Sequence, residues 1–166
     1  MNREAYYKLQ NGSDIRGVAL EGIEGEHVNL TSEAAKDFAK SFVHFVAKRT
    51  GKKPEDLKLA VGHDSRLSAE QLKTAVIDGM TETGAAAVDC GLSSTPSMFM
   101  ATVLPGLEYD GSVMITASHL PFNRNGLKFF TKEGGLEHED IHEIIKDAVE
   151  EVYTEYVPEG TITLPF

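Results

Sequence analysis

The chain has 166 residues, 41% hydrophobic and 25% charged, a globular mixture sized for one domain over residues 1–166 and able to bury a core without staples. Its formal net charge of −10 argues against broad nucleic-acid binding. A single cysteine, Cys90, excludes an internal disulfide, and no apolar run nears the roughly 18 residues that cross a membrane.

With no signal-like leader, the expected home is a reducing cytoplasm, with Cys90 a small buried residue. The acidity is uneven. Residues 137–166 hold nine acids and one base, Lys146, while the preceding part is near neutral with 15 basic and 17 acidic residues. The acidic segment reads as a solvated helix face, and a near-neutral body leaves room for a local cationic site.

Taken in chain order, residues 15–20 read as a strand, with a possible partner at His27–Leu30 across a Gly-rich turn. Thr31 or Ser32 caps a helix whose apolar stripe runs Ala34, Ala35, Phe38, Ala39, Phe42, Val43, Val46. Gly51 and Pro54 end it. Leu57–Val61 is a short strand leading into a polar loop, and Ser68 to Gln71 spells a capping box. Leu72, Ala75, Val76 and Met80 are the buried stripe behind it. Residues 85–90 form another strand, and Thr95–Pro96 starts a helix. Val113–Ala117 is a continuous apolar run suited to the middle of a sheet. Leu127–Thr131 is a further strand, and Ile141, Ile144, Ile145, Ala148, Val149 and Val152 give the clearest helical stripe.

Strands alternating with helices predict an α/β fold, a three-layer α/β/α sandwich with a mixed, mostly parallel sheet. In such sheets ligands gather beyond the carboxyl ends of strands. Three loops qualify: Gly62–Ser68, Gly91–Thr95 and Ala117–Gly126.

The third carries the chemistry. A strand delivers Ser118 and His119 to its end, a Pro- and Asn-Gly-containing loop turns, and Lys128 returns on the next strand. A hydroxyl so placed can carry a phosphoryl group, with an ammonium and an imidazole to stabilise its charge. A serine hydrolase is disfavoured: adjacent residues of an extended chain point opposite ways, and no G-x-S-x-G elbow is present.

The stretch Thr116-Ala117-Ser118-His119-Leu120-Pro121, followed by Asn125-Gly126 and Lys128, resembles the active-serine motif of the phosphohexomutases, phosphoglucomutase/phosphomannomutase type. Three further stretches match that family in order: Gly12-Ser13-Asp14-Ile15-Arg16-Gly17, Val61-Gly62-His63-Asp64-Ser65-Arg66-Leu67-Ser68, and Gly91-Leu92-Ser93-Ser94-Thr95-Pro96. The resemblance implies the N-terminal domain of an enzyme that interconverts hexose 1-phosphates and 6-phosphates of glucose or mannose through a bisphosphate intermediate, with hexose 1,6-bisphosphate as primer.

By motif position the resemblance assigns Ser118 as the phosphorylated nucleophile and a ligand of Mg²⁺. It puts Arg16 and Lys128 beside the transferring group and in contact with substrate, with Asn125 a further substrate contact. His119 assists by hydrogen bonding, and Asp64, Ser65 and Arg66 brace the loop. The family's three-aspartate metal loop does not occur in this chain, so Mg²⁺ and the sugar are expected to need the remaining domains of a longer protein, and the fragment alone is expected to be inactive. Two positions depart from the pattern: Leu120 stands where asparagine is usual and His63 where arginine is usual. These departures keep open an alternative, a non-catalytic sugar-phosphate-binding or interaction module of the same fold.

Overall fold

The computed structural model describes residues 2–153. Its first element is a 3₁₀ turn, Arg3–Leu9, capped by the side chain of Asn2. Strands β1 (Gln10–Asn11) and β2 (Asp14–Val18) follow as a tight antiparallel pair. The expected strand at residues 27–30 does not form. Asn29 and Leu30 donate their amides to the Val18 carbonyl, and the Asn29 side chain accepts from the Val18 amide, so this stretch closes β2 without extending the sheet.

Helix α1 (Ser32–Thr50) starts where its cap residue predicts: Thr31 Oγ1 accepts from the Ala34 amide at 3.0 Å. Gly51 ends it in the left-handed conformation, φ +70°, which glycine adopts without a Cβ penalty. Strand β3 (Lys58–His63) and helix α2 (Ala69–Glu82) come next. The capping box at the start of α2 is absent. Ser68 is already helical in its backbone angles and makes no cap bond; its hydroxyl instead accepts from Asn125 Nδ2 at 2.8 Å. Strand β4 is Ala86–Leu92 and helix α3 is Thr95–Val103, capped by Ser94 and not by Thr95. Strands β5 (Gly111–Ile115), β6 (Arg124–Thr131) and β7 (Gly134–Gly135) precede helix α4 (His138–Glu150).

The strands form one mixed sheet, ordered β1-β2-β6-β5-β3-β4 with β7 beside β6. Its core is parallel, β3 pairing with β4 and β5, while β6 runs antiparallel to β5, β2 and β7. β5 lies in the middle with all five residues buried, as its unbroken apolar run requires.

Period-two alternation sorts the sheet into two cores. Val61, Val113, Ile115, Leu127 and Phe129 join the stripes of α1, α2 and α4 in one large cluster. Ala60, Met114 and Phe130 face the other way and meet Met98, Ala101 and Phe99 of α3, with Tyr109 beside them. Three helices thus cover one face and a single short helix the other. Among the described residues that α3 face, where α3 packs against β3, β5 and β6, is the less covered of the two.

The acidic C-terminal helix is less solvated than its composition suggests. Asp140 pairs with Arg49 at 2.6 Å, and Glu143 and Asp147 lie 3.4 and 3.7 Å from Lys48, tying α4 to the basic end of α1. Cys90 is exposed, contrary to its expected burial, on β4, the strand at the edge of the sheet among the described residues.

Candidate functional site

The site is built where β2, β5 and β6 come together. In the antiparallel pairing, Arg16 lies opposite Gly126 and Met114 opposite Lys128. Arg16 and Lys128 therefore share the open face of the sheet. Both reach one carboxylate: Arg16 Nη2 lies 3.2 Å from Asp14 Oδ2, and Lys128 Nζ lies 3.0 Å from Asp14 Oδ1. Arg16 Nε is buried with no hydrogen-bond partner among the described residues, so the guanidinium keeps donor capacity in reserve. Asp14, not singled out as a site residue from sequence, spaces the two cations. Its i, i+2 relation to Arg16 was the available signal.

The Asn125-Gly126 pair is not a turn, as its composition suggests, but part of β6. A Cβ at Gly126 would meet Ile15 O at 2.5 Å, and Arg16 Cγ and Thr116 O each at 2.9 Å. The missing side chain lets the Arg16 stem and the root of the 116–123 loop converge on one point. Thr116 also pairs its amide with the Gly126 carbonyl at 3.0 Å, and Ser118 stands two residues beyond.

Ser118 is exposed and adopts φ +54°, a left-handed conformation that costs a serine energy unless its surroundings fix it. They do. Its amide donates to Thr116 Oγ1 at 3.1 Å, and its carbonyl accepts from Arg66 Nη2 at 2.5 Å. Arg66 Nη1 also donates to the carbonyls of Pro121 at 2.8 Å and Arg124 at 3.1 Å. Asp64 anchors the other side: its Oδ2 accepts from Thr116 Oγ1 at 2.6 Å and its Oδ1 from the Arg66 amide at 3.2 Å. The far wall of the loop is held by Glu26, which accepts from Asn123 Nδ2 at 3.1 Å and Arg124 Nη2 at 2.9 Å. Those donors, the Asn123 amide foremost, hold the Glu26 carboxyl below its usual range.

Residues 8–155 match the family model described as phosphoglucomutase/phosphomannomutase, alpha/beta/alpha domain I. The chain belongs to that family. Among its relatives, the phosphoglucosamine mutase of Caldicellulosiruptor saccharolyticus is 33% identical over 142 residues, covering 86% of this chain and 29% of that protein. The phosphoglucosamine mutase of a Thermoanaerobacter species is 31% identical over 151 residues, covering 90% and 31%. A solved phosphoglucomutase/phosphomannomutase family protein from Burkholderia thailandensis superposes with a TM-score of 0.70 at 26% identity, over 87% of this chain and 30% of that one. The chain thus spans under a third of the length of the relatives it matches.

Within this phosphohexomutase domain I, the expected site residues divide. Arg16 and Lys128 meet at Asp14, and Asp64 and Arg66 brace the loop that carries Ser118. Ser65 is exposed and makes no side-chain hydrogen bond among the described residues, so it takes no share of the bracing. His119 is exposed beside Ser118, and its ring makes no hydrogen bond within the described residues. Asn125 corrects an expectation. It is 0% exposed, with Nδ2 on Ser68 and Oδ1 accepting from the Gly126 amide at 2.9 Å. Its side chain is consumed inside the scaffold and cannot also reach a substrate. Among the described residues no three His, Cys, Asp or Glu side chains converge as a metal site. Ser118 alone does not satisfy Mg²⁺, which favours six oxygens in octahedral array. No described helix is long and apolar enough to cross a membrane.

Proposed function

We propose that this chain is the phosphoserine-bearing domain of a phosphosugar mutase, with Ser118 Oγ as the atom that carries the phosphoryl group. The observation that supports it most is an exposed serine fixed in a left-handed conformation by both of its own backbone groups, on a loop whose root, Thr116, bonds to Gly126 opposite Arg16, which shares Asp14 with Lys128. The serine-to-sugar transfer would break the Oγ–P bond of phosphoserine and form a sugar O–P bond, the sugar hydroxyl proton passing to Oγ. Little covalent help is needed in such a step; positioning and neutralisation of the nonbridging oxygens supply the catalysis. Arg16 and Lys128 suit that task, since they already share one anionic group, Asp14, and a phosphoryl group presents oxygens of the same kind. His119 beside Ser118 has a free ring to hydrogen-bond the reacting oxygens.

The substrate reading is a hexose phosphate, exchanged between its 1- and 6-phosphates. The names of the relatives favour glucosamine phosphate over the glucose or mannose phosphates that the motifs suggest. Mg²⁺ and a bisphosphate primer belong to this reading, the metal drawing its remaining ligands from further domains of a longer polypeptide. The deciding experiment assays the protein expressed from its complete gene against glucosamine, glucose and mannose phosphates. Interconversion that vanishes in Ser118→Ala supports the mutase. Tight sugar-phosphate binding with no turnover on any of the three would favour a binding module instead.

A further inference from the structure

His63, the residue where this sequence departs from its family, closes β3 with its side chain only 10% exposed. Its Nδ1 lies 2.7 Å from the carbonyl oxygen of Asp64. A carbonyl only accepts, so Nδ1 carries the proton and donates. The main chain around this contact is pinned on both sides: the Ser93 amide donates to the His63 carbonyl at 2.8 Å, and the Asp64 amide to the Ile115 carbonyl at 3.2 Å. The main chain of Asp64 is therefore held by β5 at its amide and by the imidazole at its carbonyl.

The same residue then reaches the loop. Asp64 Oδ2 accepts from Thr116 Oγ1, and Thr116 Oγ1 accepts from the Ser118 amide. Arg66, whose amide is bound by Asp64 Oδ1, takes the Ser118 carbonyl. Both backbone groups of Ser118 thus trace back to Asp64, whose carbonyl His63 holds. The ring is oriented in turn by α2 and β4. His63 Nε2 faces Glu70 Oε1 at 3.5 Å, Glu70 Oε2 takes Lys73 Nζ at 3.0 Å, and Lys73 takes Asp89 Oδ2 at 3.0 Å. Asp89 also accepts from the Gly91 amide at 2.8 Å.

We propose that His63 is a positioning residue for Ser118: its ring N–H fixes the Asp64 turn, which holds the serine in its left-handed conformation. It touches neither Ser118 nor the cations and acts only through Asp64. The proposal deepens the reading of Ser118 as the reactive residue, but its test needs no phosphoryl chemistry.

The test compares His63→Asn, whose side-chain amide supplies a donor near the Nδ1 position, with His63→Leu, which fills the space without one. The readout is hydrogen exchange of the Ser118 amide in the 166-residue chain, referenced to the Val113 amide in the sheet core. His63→Leu is expected to speed Ser118 exchange about tenfold, the ratio that losing one hydrogen bond gives, with Val113 unchanged. His63→Asn is expected to restore it to near the original rate. Equal exchange at Ser118 in all three proteins overturns the proposal, as does a loss in His63→Leu that His63→Asn fails to rescue. If instead Ser118 exchange behaves as expected and Ser118→Ala retains mutase activity, the positioning role stands and the catalytic reading falls.

Discussion

The guanidinium of Arg66 donates to the carbonyl of Ser118, 52 positions away in sequence, at 2.5 Å. The same side chain closes on the carbonyls of Pro121 and Arg124. One arginine therefore gathers the start, the middle and the end of the loop, and Asp64 holds that arginine's own amide. Charge-assisted hydrogen bonds of this kind are the stronger ones in proteins. Replacing Arg66 by alanine should cost about 1–3 kcal/mol and release Ser118 from its left-handed conformation. Arg66→Lys should recover only part of that, because an ammonium lacks the planar fork that spans three carbonyls. Chemical denaturation and the backbone chemical shifts of Ser118 check both statements.

Gly126 predicts a packing effect. A methyl group there would press on the Ile15 carbonyl, the Arg16 stem and the Thr116 carbonyl, and two of the three are backbone atoms that do not step aside. Gly126→Ala should destabilise by about 1–3 kcal/mol. A thermal melt should fall by about 2–4 °C for each of those kcal/mol at this chain length.

Asp14 separates a site effect from a stability effect. Its partners are a quarter to a third exposed, Arg16 at 26% and Lys128 at 31%, so the pairs contribute modestly to folding. Asp14→Asn should leave the melting temperature within a few degrees of its original value. In the complete protein it should lower kcat/KM for hexose phosphate, because the two cations lose their shared spacer.

Glu26 gives the pH dependence. Its folded carboxyl titrates below the usual value of about 4.3, held down first by Asn123 and then by Arg124. A depressed carboxyl stabilises above its unfolded pKa, and that contribution is lost as pH falls through the folded value. Acidification below the usual carboxylate range should therefore loosen residues 119–126 before the core unfolds. Glu26→Gln should remove that acid-dependent step. Amide exchange of Asn123 followed against pH is the measurement.

Asp37 is 6% exposed and accepts from Tyr6 Oη at 2.7 Å, Arg3 Nε at 3.3 Å and Tyr153 Oη at 3.2 Å. Burial, then the bond to Asp37, pushes the Tyr6 phenol well above its usual range. Asp37→Leu removes the acceptor that Tyr6, Arg3 and Tyr153 share and should cost about 2–4 kcal/mol in urea denaturation, whereas Asp37→Asn retains an acceptor and should cost less.

Much of this was legible beforehand. Helix stripes at 3.6 spacing marked α1, α2 and α4, and the unbroken apolar run of β5 marked the sheet centre, because both periodicities report burial directly. The motif order marked Ser118, Arg16 and Lys128. What sequence could not say was where short polar side chains would send their hydrogen bonds. Ser68 spells a helix cap yet serves Asn125, and Asn125 spells a turn or a ligand contact yet is a buried residue of β6. The two residues satisfy each other across 57 positions, and no local pattern records such a pairing. Asp14 escaped notice for the same reason, since only the folded sheet brings Lys128 to it; His63 stood out as a departure from the family pattern, but its bond to the Asp64 carbonyl did not.

The most direct test of the central claim is to purify the protein from the cells that make it and locate covalent phosphate by tandem mass spectrometry. The account predicts one phosphoryl group, on Ser118, absent from Ser118→Ala along with all hexose-phosphate interconversion. An unmodified Ser118 in an active enzyme, or full activity in the alanine variant, would contradict it.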